Sequence, residues 1–106
     1  MTDSAMTAME LLKSLHVETT DRLKRMQVEA VNGYMQCLEL TTKRGGDVKE
    51  TAVTWVRHFM VIVETRMEVQ EMINTLLTKV EKLVDQVDDE SMHQRFADIR
   101  EACRVI

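Results

Sequence analysis

Between Val48 and Val87 the chain repeats an alternating spacing of four and three: Val48, Ala52, Trp55, Phe59, Ile62, Arg66, Val69, Ile73, Leu76, Val80, Leu83, Val87. Arg66 is the one polar step in an otherwise apolar series. A period of 3.5 residues places these side chains on one narrow seam of a long helix, and such a seam requires a second helix to cover it. The pattern predicts an all-α protein built around a long, coiled-coil-like pair of helices.

Composition agrees with that class. The 106 residues include no proline, three glycines and 4% aromatics. A β-sandwich or barrel of this length would need many more turn-forming residues. The apolar share of 44% is enough for one packed core and too high for a disordered chain. A single helical domain over 1–106 is therefore expected.

The partner of the seam precedes it. A weaker ladder in the same rhythm runs through Met9, Leu12, His16, Thr19, Leu23, Met26, Ala30, Gly33, Cys37 and Leu40. Helix 1 is expected at about 4–44, with Lys43 and Arg44 near its C-terminus and Gly45 as a left-handed cap. Gly45 and Gly46 form the turn at 45–46. Asp47, with Glu50 three residues on, reads as a capping box opening helix 2 at about 48–87. In an antiparallel hairpin, positions whose numbers sum to 92 should face one another, setting Gly33 opposite Phe59 and Ala30 opposite Ile62. Ser91 with Gln94 reads as another capping box, starting a short helix 3 at about 92–105. Its stripe is Met92, Phe96, Ile99, Cys103 and Ile106. At about 1.5 Å per residue it is long enough to cover only the open end of the hairpin.

Both long helices carry more apolar surface than one seam uses. Val53, Val56, Met60, Val63 and Met67 lie one position beyond the helix 2 seam, and Val31, Tyr34, Met35 and Leu38 match them on helix 1. In an antiparallel pair these flanking positions share one side. Single chains seldom leave a patch of that size wet. The expectation is that two hairpins pair through this face into a four-helix-type bundle, as a dimer, or that an apolar helix of a protein partner docks there. Several of the nine methionines lie on or beside these faces, where flexible side chains suit an adaptable surface. Arg66 is expected either to fix register or to lift its charge to solvent.

Nothing in the sequence assembles a reaction centre. His16, His58 and His93 are scattered. Glu90 and His93 have the Glu-x-x-His spacing of di-iron bundles, but there is no second copy and no further inward glutamate. No glycine-rich phosphate loop or nucleophile–base pair is present. No catalytic, metal or cofactor site is expected, and the chain is read as not an enzyme. The net charge of −4 and the lack of a basic face argue against nucleic acid. Glu64, Glu68 and Glu71 form an acidic edge. Cys37 and Cys103 match no metal or redox spacing and read as small buried hydrophobes. With no signal peptide or spanning segment, a cytoplasmic location is expected.

The leading expectation is thus a non-enzymatic interaction module: a small acidic adaptor, chaperone or inhibitor. In size, acidity and helical build the chain is similar to the small chaperones of bacterial secretion and flagellar export. The stretch Leu23, Arg25, Met26, Gln27, Asn32, Tyr34 resembles the phasins, coat proteins of polyester granules. That resemblance implies a competing reading, an amphipathic coat on an apolar granule or membrane surface.

Overall fold

The computed structural model describes residues 2–106. Among these residues there are three α-helices and no strand: α1 (Thr2–Lys43), α2 (Val48–Asp85) and α3 (Glu90–Ala102).

The α1–α2 turn forms where backbone chemistry dictates. Gly45 adopts φ +67°, a conformation that costs a residue with a β-carbon. Its N–H donates to the Thr42 carbonyl at 3.2 Å, and the Gly46 N–H donates to Thr41 at 2.9 Å. These two bonds are the Schellman closure of a helix C-terminus. Asp47 Oδ1 then accepts from the backbone N–H groups of Lys49 (2.9 Å) and Glu50 (3.3 Å), satisfying donors that the first turn of α2 leaves open.

The start of α3 differs from the capping box expected at Ser91. Asp89 is the N-cap: it is extended, and its carboxylate accepts from Ser91 N–H at 2.9 Å and Met92 N–H at 3.4 Å. A carboxylate at a helix N-terminus also meets the positive end of the dipole, so α3 begins two residues early. Helix α2 ends two residues early for a related reason. Gln86 and Val87 donate to Leu83 and Val84, tightening the last turn to three-residue spacing.

The chain divides into two compact units, and α1 and α2 contribute to both. The turn unit, Asp21–Arg66, pairs the second half of α1 with the first half of α2 in antiparallel fashion. Leu23, Ala30 and Ile62 are buried along its seam, and Gly33, Cys37, Ala52, Trp55 and Phe59 are half-buried. The hydroxyls of Thr41 and Thr51 meet across it at 3.1 Å, which fixes the level of one arm against the other.

The terminal unit holds the chain up to Thr20 together with Met67–Ile106. Here a third helix completes a core. Ala5, Met9 and Leu12 of α1, Ile73, Val80 and Val84 of α2, Met92 and Phe96 of α3, and Cys103 at the C-cap of α3 are all buried. Helix α3 runs back along α2. Arg100 pairs with Glu81 (Nη2 to Oε1, 3.0 Å) and lies over the Phe96 ring at 5.1 Å. The Gln70 side chain holds the far end: its Nε2 donates to the Cys103 carbonyl at 3.1 Å, and its Oε1 accepts from Ile106 N–H at 2.9 Å.

The seam on α2 changes phase along its length. Leu83, on the four-three ladder, is 37% exposed, whereas its neighbour Val84 is 1% exposed. Ile73 and Val80 stay buried on the ladder, so the step from Leu83 to Val84 is local to the stretch where α3 also packs on α2.

Candidate docking face

In the turn unit, one flank of the helix pair is apolar and open. Val31, Met35, Val53, Val56, Met60 and Val63 are all exposed, from 47% for Val63 to 56% for Val56. Tyr34 and Leu38 are half-buried and border the seam. The structure thus brings eight of the nine residues expected in the patch into one unit. Met67 belongs to the terminal unit and is exposed there.

Sequence reading missed Val28, which is 58% exposed. With it, α1 carries Val28, Val31, Met35 and Leu38 at spacings three, four, three, and α2 carries Val53, Val56, Met60 and Val63 at the same spacings. Each arm therefore bears a second seam of coiled-coil rhythm beside the one it uses. The signal lay in the spacing, since Val28 stands three residues before Val31 and seven before Met35.

The opposite flank is polar. Glu29, Asn32, Gln36 and Glu39 on α1 and Thr54 and His58 on α2 are exposed there, with Leu40 and Val61 the apolar exceptions. The asymmetry is a property of the helix faces, because both flanks belong to the same two segments.

An aromatic cluster lies along the seam. The Tyr34 ring meets Phe59 edge-on at 5.8 Å and Trp55 at 6.4 Å, and Trp55 meets His58 at 5.1 Å. Edge-on pairs of this kind stabilise beyond their buried area. Gly33 makes room for the cluster, since the indole of Trp55 fills the space that a β-carbon there would take. The indole therefore reaches one turn further than a level-by-level register would carry it.

Arg66 is exposed and stands at the last position of the turn unit. His93, on the Glu-x-x-His spacing, uses its Nε2 on the Val87 carbonyl at 2.8 Å. Among the described residues no three His, Cys, Asp or Glu side chains converge as a metal-binding group. Cys37 and Cys103 are both free thiols. Burial pushes the Cys103 thiol pKa above its ordinary value.

The terminal unit has a groove of about 410 Å³ between α1 and α3, floored by Met6, Met9, Ile99 and Cys103 and edged by Lys13 and Asp98. His16 also lines it, but its Nε2 is buried and without a hydrogen-bond partner, as is the hydroxyl of Thr20 one turn on. No described helix is long and apolar enough to cross a membrane.

Comparison with known proteins returns no match: no protein family, no curated protein and no solved structure is similar to this chain at significance.

Proposed function

We propose that the protein is a non-enzymatic protein–protein interaction module whose working surface is the apolar flank of the turn unit. The observation that carries this reading is the pair of second seams, Val28–Val31–Met35–Leu38 and Val53–Val56–Met60–Val63, all exposed but for the half-buried Leu38, beside an opposite flank that is mostly polar. Two parallel apolar seams form a groove that accepts the apolar face of a helix, read through anchors three and four residues apart. The methionines in the groove adapt to different side chains, as suits an adaptor, chaperone or inhibitor. A reducing compartment such as the cytoplasm fits the two free thiols.

The test compares the intact chain with a Met60→Glu/Val63→Glu variant. Both are used to capture proteins from the native cell, and each captured partner is then supplied as a purified fragment. The reading expects a partner whose binding is lost in the double variant while helicity by circular dichroism is kept. Equal binding by both proteins would remove the flank as the working surface. A coat for an apolar granule or membrane predicts something else: helicity that rises when liposomes are added, with no dependence on a protein partner.

A further inference from the structure

The two second seams also complement each other, and this identifies an occupant for the face that rests on the docking reading above. The Thr41–Thr51 contact sets residue levels in the turn unit so that facing positions sum to about 92. Val28 is then level with Val63, Val31 with Met60, Met35 with Val56, and Leu38 with Val53; each pair sums to 91. The four apolar rungs of α1 thus match the four apolar rungs of α2 in height. Within one chain they lie side by side on the flank and cannot interlock. Between two chains they can.

We propose that the flank is covered by a second copy of this chain, related by a two-fold axis parallel to the arms, with both turns at the same end. Such an axis preserves height, so α1 of one copy lies antiparallel on α2 of the other with all four rungs aligned, twice over. Every neighbouring pair of helices in the resulting four-helix arrangement is antiparallel, which is the geometry of up-down bundles.

Charge placement selects this arrangement over its rival, in which the turns point in opposite directions. In the rival, α2 packs on its own copy. With the rungs aligned there, Arg57 lies near the axis, about two residues along from Arg57 of the other copy. Like charges across an interface oppose association. With the turns together, Arg57 lies over Met35 of the other copy, where its stem can pack, and Glu64 lies within one turn of Lys24. No charged residue falls inside the strip in either case.

The area is adequate. If nine flank side chains, with Val28, Tyr34 and Leu38 included, each lose on the order of 50 Å², a dimer buries about 900 Å² of apolar surface. At the usual apolar share of about 60%, the whole interface is about 1,500 Å², inside the range of stable complexes.

The experiment is sedimentation equilibrium on the intact chain over a concentration series, with crosslinking. The expected result is a dimer whose dissociation constant rises by at least about 100-fold in the Met60→Glu/Val63→Glu variant, with helicity unchanged. A Val61→Glu variant, altered on the polar flank, should dimerise as the parent does and controls for a general charge effect. For geometry, Val31→Cys and Met60→Cys variants are made in a Cys37→Ala/Cys103→Ala background, mixed and oxidised. Disulfides joining position 31 to position 60 are expected. Disulfides joining 60 to 60 in their place would overturn the same-end arrangement. A dimer unaffected by the double variant, or a monomer at every concentration, would overturn self-pairing. If that monomer still bound a partner helix through Met60 and Val63, the docking reading would survive without it.

Discussion

The indole of Trp55 occupies the space that a side chain at Gly33 would need: a β-carbon there would lie 2.7 Å from the ring atom Cη2. Replacement of Gly33 by alanine gains about 1 kcal/mol of helix propensity. It also pushes the ring away from Tyr34 and Phe59, and forced repacking costs about 1–3 kcal/mol. The net outcome expected for Gly33→Ala is a loss of about 1 kcal/mol in urea titration, with Trp55 emission shifted to the red. A more stable protein with unshifted emission would mean that the ring does not rest on Gly33 in solution.

Gln70 bonds both the Cys103 carbonyl and the Ile106 N–H, and both bonds are partly buried. Gln70→Leu leaves a donor and an acceptor without their partner, at a cost of about 1–3 kcal/mol. Faster amide exchange at Ile106 should accompany the lower melting temperature. Unchanged exchange at Ile106 would refute the tie.

At the start of α3, Asp89 accepts two backbone N–H bonds and Ser91 donates its own N–H to it. Asp89→Ala should therefore cost about 1 kcal/mol, whereas Ser91→Ala should stay within about 0.5 kcal/mol of the parent. A larger loss at Ser91 than at Asp89 would restore the serine as the cap.

The two thiols should react in sequence. Cys37 is half-buried, whereas Cys103 is 1% exposed and its burial raises its pKa above the ordinary 9.0. Iodoacetamide at pH 8 should alkylate Cys37 first, and Cys103 only as the protein unfolds. A raised thiol pKa also makes the folded state hold its proton more tightly than the unfolded state. This contribution to stability is complete below pH 9.0 and is lost as pH rises above it. Cys103→Ala should flatten the alkaline part of the stability profile; an identical decline in both proteins would deny the thiol that role.

The helices were legible because each signal in them is short-range and repetitive. The four-three ladder, the Gly45 cap and the α3 stripe ending in Cys103 and Ile106 all follow from spacing and backbone preference. What was not legible depends on accumulated geometry or on competition between neighbours. A two-helix template cannot show that Val84 and not Leu83 is buried near the end of α2, because α2 there meets α3 as well as α1. Asp89 and Ser91 are both good caps, and only the fold shows which of them takes the extended conformation. The Gly33–Trp55 contact depends on how far a large side chain reaches, and residue numbers do not encode that. At the candidate face, hydrophobicity was readable and Val28 was recoverable from its rhythm with Val31 and Met35. Uncharged residues at matching heights on two arms come into view once the Thr41–Thr51 contact fixes those heights.

Trp55 is the chain's sole tryptophan, and it lies in the turn unit, where α3 contributes nothing. Its fluorescence is thus a local thermometer, while far-ultraviolet ellipticity averages over all three helices. Superimposed melting curves from the two signals would reveal one cooperative transition through both units. Curves that separate would time the loosening of each, using a chromophore that nature already installed.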